Sequence, residues 1–341
     1  MAMKMRSHVR DKRLKLGLTQ AELAARSGVS RQLVAAVEAG QNTPAVDAAL
    51  RIARTLASTV EELFDGPRPP VVSALGDHLP DRAMVRVGRV GDQLIATPLP
   101  DHGTNAIGWS SPDGLIDNGE LQLFPAAHPA ALVVAGCDPA LGIAEAMLAG
   151  HGTLSLLAIS APTGTSLAAL EHGRVHAAVV HGAPGTLPSP PVPVTRLHLA
   201  RWHVGLGIAR PSLGDSLEAI LHAQVQVVQR DPAASSQQAF EHAALQAGIT
   251  PLAGPRASGH IDAARTAATL TTAGVTTEAA AHAFGLRFLP LEHHTVEIWL
   301  GQQWAGHPAA DALADLLTRT AFTQRVAQFG GYDLTSCGTV I

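Results

Sequence analysis

Apolar residues follow three different rhythms along the chain. From Ser7 to about residue 65 they recur at helical spacing. Ser7–Leu16 predicts a first helix and Gln20–Arg26 a second, with Thr19 and Glu22 in capping-box relation. Gly28 supplies a permissive turn and Ser30 caps a third helix, whose Val34 and Val37 face Leu23 and Ala24. Ser30, Arg31, Gln32, Leu33 and Ala36 are left facing outward. The stretch Asp65–Pro70 (DGPRPP) breaks the pattern and marks a boundary.

From Val71 to Pro129 short apolar runs (AMVRVGRV, QLIATPL, LQLF) alternate with Gly, Pro and Asp, which predicts a few strands in an accessory layer. Beyond residue 130 the order becomes strand, loop, helix. ALVVAG, LSLLAIS, HAAVVHG and VQVVQ are continuous apolar runs of the kind found in strands covered on both faces. Asp138 and Pro139 predict a sharp helix start after the first, and Thr165 a cap after the second. SGHIDAARTAATLTTAG and TTEAAAHAFG read as helices, LHLARWHVGLGIAR as a strand pair, and LRFLPL and HTVEIWL as two strands. This alternation predicts a mostly parallel sheet with helices on both sides.

Charge sharpens the division. Residues 1–66 hold ten basic and seven acidic side chains, whereas the remainder holds fourteen and twenty-one. All three lysines, Lys4, Lys12 and Lys15, lie near the start, so a small polyanion-facing segment precedes a body that needs no such partner. At 46% hydrophobic and 15% charged, the 341 residues can form a real core. Two cysteines are too few for a disulfide framework, and the basic first eighteen residues lack a signal-peptide core. A soluble, cytoplasmic protein without a membrane partner is expected.

A helix whose polar N-terminal residues project from a second helix packed behind it presents side chains to the major groove. The segment GLTQAELAARSGVSRQLVAAVEAGQNTP with IARTLASTVEELF resembles the Cro/repressor (XRE) helix-turn-helix family over about residues 6–65. The resemblance implies that Gln20 and Ser30 anchor phosphates, and that Arg31 and Gln32 reach base edges or phosphate. By the same carry-over Leu33 touches a thymine methyl and Asn42 a phosphate, in a homodimer on a double-stranded DNA operator. Ala35 and Ala36 stand where family members often place polar side chains, so base readout rests on few residues.

In open α/β sheets ligands bind beyond the carboxyl ends of the strands. The residues there are Cys137, Asp138, Ser160, Thr165, Ser166, His181, Ser235, Ser236, Gln237, Thr276 and Thr277, with His260 at an element end nearby. They are mostly neutral donors with little fixed positive charge, which suits a small oxyanion or carboxylate. The segments GCDPAL, SAPTGTSLAALEHGRVHAAVVHG, QRDPAASSQQAF and FGGYD resemble the periplasmic-binding-protein-like domain related to molybdate- and tungstate-binding proteins. DPAASSQQ replaces a glycine-rich stretch usual in those relatives, so the effector cannot be named.

The expected architecture is an all-α helix-turn-helix head (1–66), a small β-rich linker segment (67–129) and a two-lobed α/β (type II) sensing domain (130–341). The expected function is effector-responsive transcription regulation, without catalysis, cofactor or metal site. The seventeen histidines show no metal-ligand spacing, and His293 and His294 should point to opposite sides. An enzyme using the same cleft and a ligand-free DNA-binding scaffold are the alternatives. A perturbed acid or base beside a nucleophile would favour the enzyme.

Overall fold

The structure, a computed structural model, describes residues 6–65, 70–76, 78–99, 104–105, 108–109, 111–149 and 154–341. It divides into two compact units, Met1–Pro70 and Val71–Ile341. The Pro-rich boundary at 66–69 lies outside the described residues.

The small unit packs α1 (Val9–Lys15), α2 (Gln20–Ser27), α3 (Arg31–Glu38), α4 (Val46–Thr55) and α5 (Val60–Leu63). Two short strands, β1 (Arg6–Ser7) and β2 (Phe64–Asp65), pair antiparallel at its ends. Val9, Leu23, Val34, Ile52 and Leu63 are fully buried in one core. Local chemistry fixes the joint between α2 and α3. Thr19 and Glu22 complete the capping box. Gly28 turns in the left-handed region at φ 63°. Ser30 accepts from the Leu33 N–H to start α3.

The large unit opens with β3 (Val71–Ser73), β4 (Met84–Val90), β5 (Gln93–Pro98), a minor hairpin of β6 (Thr104–Asn105) and β7 (Gly108–Trp109), then β8 (Gly114–Asp117) and β9 (Glu120–Leu123). Five of these form a sheet in the order β3-β5-β4-β8-β9. This sheet shares a core with the strands beyond residue 130: Ala74, Val90 and Ile95 pack with Val133 and Leu157. At Gly88 the approach is so close that a Cβ would lie 2.3 Å from Val133 Cγ2.

The main sheet contains β10 (Leu132–Ala135), β11 (Leu156–Ile159), β12 (Ala177–Gly182), β13 (Val194–Ile208), β14 (Val227–Gln229), β15 (Ala253–Arg256), β16 (Ala273–Thr277) and β17 (Arg287–Gly301). Their order is β11-β10-β12-β17-β13-β16-β14-β15. In the first lobe, β10–β12 carry α6 (Ala140–Leu148), α7 (Thr163–Glu171), α12 (Pro308–Thr318) and α13 (Thr320–Ala327). In the second, β14–β16 carry α8 (Leu217–His222), α9 (Ser235–Gln246), α10 (His260–Leu270) and α11 (Glu278–Ala283). β13 and β17 pair antiparallel along their whole lengths, from Val194 opposite Gly301 to Ile208 opposite Arg287, and so run through both lobes.

The sheet is mixed, which corrects the expectation of a mostly parallel one: β17 is antiparallel to β12 and β13, and β13 to β16. LRFLPL and HTVEIWL, expected as two strands, are one continuous strand, in which Pro290 faces Gly205 at a register shift. A bulge there absorbs the missing N–H. Likewise 194–208 is a single strand rather than a pair. Residues 273–277, whose small side chains read as helix ends, instead form the fully buried β16.

Candidate functional site

In the small unit, Ser30, Arg31 and Gln32 are exposed together at the start of α3, and Asn42 is exposed just beyond its end. Leu33 is half-buried and packs against the core. Gln20 is engaged within the unit, its Nε2 donating to Glu38 Oε2 at 2.9 Å. Glu38 also receives Arg13 Nε at 2.6 Å and Nη2 at 3.0 Å. This network clamps α3 onto α1 and α2 while leaving the polar end of α3 free.

In the large unit a cleft of about 1440 Å³ opens between the lobes. Cys137, Asp138, Ser160, Thr165 and His260 line it, as expected from their positions at strand ends. The helix starts differ slightly: α6 begins at Ala140, and α7 begins at Thr163, two residues before Thr165. The remaining predicted residues lie under this surface. Ser166 donates to the Ala161 and Pro162 carbonyls, Ser235 to the His181 carbonyl, and Thr276 to the His260 carbonyl. Gln237 Oε1 accepts from the Arg230 N–H. These four are committed to holding the strand ends in place.

The cleft lining is not made of neutral donors alone, which corrects the inventory from sequence: Arg86, Arg256 and Arg265 stand there with Asp138, Glu145, Asp231 and Asp262. Arg230 is 1% exposed, and neither its Nε nor its Nη1 has a hydrogen-bond partner. The hydroxyls of Ser236, Thr277 and Thr163, and both ring nitrogens of His260, are also buried and unpartnered. Unpaired buried donors cost about 1–3 kcal/mol each, and a buried charge more. Arg230 stands in plain view in the sequence, directly after the apolar run VQVVQ and before the Asp-Pro that precedes α9. Of the wall arginines, Arg86 is ion-paired with Glu145.

Beside Arg230 lies the Cys137 thiol. Its Sγ is 3.3 Å from His181 Nε2. His181 Nδ1 faces His294 Nδ1 at 3.0 Å, and His294 Nε2 donates to Glu292 Oε1 at 2.7 Å. His293 points to the other side of β17, against His203. Burial pushes the Cys137 thiol up, with Arg230 opposing, and pushes the His181 imidazole well below its ordinary range. Both partners are therefore neutral, the reverse of an activated thiolate–imidazolium dyad. Asp138 is buried too, and burial raises its carboxyl; the Ala140 N–H, Trp202 Nε1 and Tyr332 hydroxyl occupy its oxygens.

Comparison with known proteins agrees with both units. Residues 9–63 match the Helix-turn-helix family model, and residues 144–318 match that of the PBP superfamily domain. An uncharacterized HTH-type transcriptional regulator of Methanothermobacter thermautotrophicus is 48% identical over 61 residues, 18% of this chain and 88% of that protein. A putative phosphate ABC transporter substrate-binding protein from Clostridium perfringens, solved with bound phosphate, aligns with 59% of this chain and 98% of its own at TM-score 0.47 and 8% identity. The Azotobacter vinelandii periplasmic molybdate-binding protein aligns over the same shares at TM-score 0.42 and 14% identity. Among the described residues no helix is long and apolar enough to cross a membrane. The chain is a helix-turn-helix transcriptional regulator of the Cro/repressor (XRE) kind whose large unit belongs to the PBP superfamily, a binding rather than a catalytic fold.

Proposed function

We propose that two copies of the protein present α3 to an operator and that a small anion, an oxyanion or a carboxylate, occupies the cleft and sets the affinity for DNA. Ser30, Arg31 and Gln32 are the DNA-reading residues, with Asn42 on phosphate. The observation that carries the ligand class is Arg230, a buried guanidinium whose Nε and Nη1 have no hydrogen-bond partner. An anion would supply the acceptor that this guanidinium lacks. For the anion to act as a switch it must bind one arrangement of the lobes better than another.

The test is a thermal-shift series with molybdate, tungstate, sulfate, phosphate and small carboxylates. A ligand at a hundred times its Kd stabilises the folded state by about 2.7 kcal/mol, several degrees in melting temperature. The same ion is then added to an operator titration. One anion should raise the melting temperature of the wild type and leave Arg230→Gln unmoved. If every anion is without effect on the wild type, the reading fails.

A further inference from the structure

The buried histidines and thiol beneath the cleft do more than an anion requires. Cys137 Sγ and the ring nitrogens of His181 and His260 lie within 4.8 Å of one another, all three side chains buried. We infer that Cys137, His181 and His260 form a site for a soft monovalent metal ion, Cu(I), bound by one sulfur and two nitrogens. Arg230 lies against the Cys137 sulfur but is not itself one of the three ligands.

The hydrogen-bond chain behind His181 fixes its tautomer. An ionised Glu292 only accepts, so His294 carries its proton on Nε2 and is bare on Nδ1. His181 must then donate through Nδ1, which leaves a lone pair on Nε2, the atom facing Cys137 Sγ. A carboxylate passing through an imidazole to a second imidazole is the outer support that orients metal-binding histidines. His260 contributes the second observation: it is 1% exposed, and neither ring nitrogen has a partner. Trp202 packs its ring 4.8 Å from that of His181 and 5.7 Å from that of His260, closing the site on one side. Cys137 and His260 reach the cleft, which supplies the entry path.

Charge selects the ion. The Cys137 thiolate cancels one positive charge, so Cu(I) adds none to a pocket that already holds Arg230. Zn(II) would leave a second positive charge beside that guanidinium. Zn(II) also wants a fourth ligand, and the neighbouring Asp138 carboxyl has its oxygens occupied by Ala140, Trp202 and Tyr332. Thiolate with imidazole in a three-donor set suits the softer ion. On binding, the metal displaces the thiol proton, which leaves through the cleft to solvent.

The test is titration of the full-length protein, anaerobic and reduced, with Cu(I) presented as its bicinchoninate complex. The wild type should withdraw one equivalent, and X-ray absorption at the copper edge should show one sulfur and two nitrogen neighbours. Cys137→Ser should hold the ion about tenfold or more weakly. Cys337→Ser should keep it. Equal uptake by wild type and Cys137→Ser, absence of sulfur from the absorption spectrum, or preference for Zn(II) over Cu(I) would each overturn the assignment. Because the absorption spectrum is read on the wild type, the result stands even where a variant fails to fold.

Discussion

Arg13 Nε and Glu38 Oε1 lie 2.6 Å apart in the small unit, with side-chain exposures of only 9% and 4%. The pair joins the last turn of α1 to the end of α3, the helix proposed to read DNA. Burial alone would raise the Glu38 carboxyl, but hydrogen bonds from Arg13 and Gln20 and the Arg13 charge outweigh it and hold the group below its ordinary value. A carboxyl depressed in the folded state stabilises the fold above its unfolded pKa. That stability is lost as pH falls through the folded value. Amide exchange along α3 should accelerate at pH below the ordinary glutamate range, and Glu38→Gln should show less of this acid response. Arg13→Ala should cost about 3–5 kcal/mol by stranding a buried charge, and should weaken operator binding without touching DNA.

Arg31 is exposed and makes no contact that the small unit needs. Arg31→Ala should weaken operator binding by about 1–3 kcal/mol with the melting temperature unchanged, read by fluorescence anisotropy. Ser30→Ala differs: it removes the cap on Leu33 N and should cost about 1 kcal/mol of stability as well. A change in stability with Arg31→Ala would contradict its assignment as a purely DNA-facing residue.

His176 Nδ1 accepts from the Val133 N–H at 3.0 Å, so that nitrogen cannot carry a proton in the fold. Burial, then the nearby His307, pushes its pKa down to about 4 from 6.5. Below 6.5 the unfolded chain takes up a proton that the native state refuses, so stability is full above that pH and falls as pH drops towards 4. The loss from this one group reaches about 3 kcal/mol. His176→Asn keeps an acceptor for Val133 and should flatten the urea-midpoint curve between pH 6.5 and 4.

At Gly205 a Cβ would lie 2.0 Å from the Leu289 carbonyl oxygen. The obstacle is backbone in the paired strand, which cannot rotate away as a side chain could. Gly205→Ala should destabilise the large unit by about 2 kcal/mol or more, seen as a lower calorimetric midpoint. A neutral substitution would mean that the bulge at Val204/Gly205 yields freely.

Much of the small unit is legible in the sequence because its signals are local. Thr19 with Glu22, Gly28 and Ser30 each act within four residues, and all three take the roles their spacing announces. In the large unit the apolar strands can be read, but β16 cannot, since Ala, Gly and Thr satisfy a helix end as readily as a buried strand. Cys137, just after a strand, and His260, at the start of α10, both line the cleft. The thiol's approach to His181 spans 44 positions, and the relay to His294 another 113, so only the sheet order brings them together. Arg230 escapes sequence reasoning for a different reason: an arginine after a strand reads as solvent-facing until burial is known.

The two fifteen-residue strands β13 and β17 pass through both lobes as one hydrogen-bonded ribbon. Lobes joined by loose loops could swing like a door. Lobes joined by a continuous ladder must keep its bonds while they move, so relative motion becomes torsion spread along the ribbon, softest at the bulges beside Ala200 and Gly205. Such a part is built as a torsion bar, its stiffness set by the length of paired backbone.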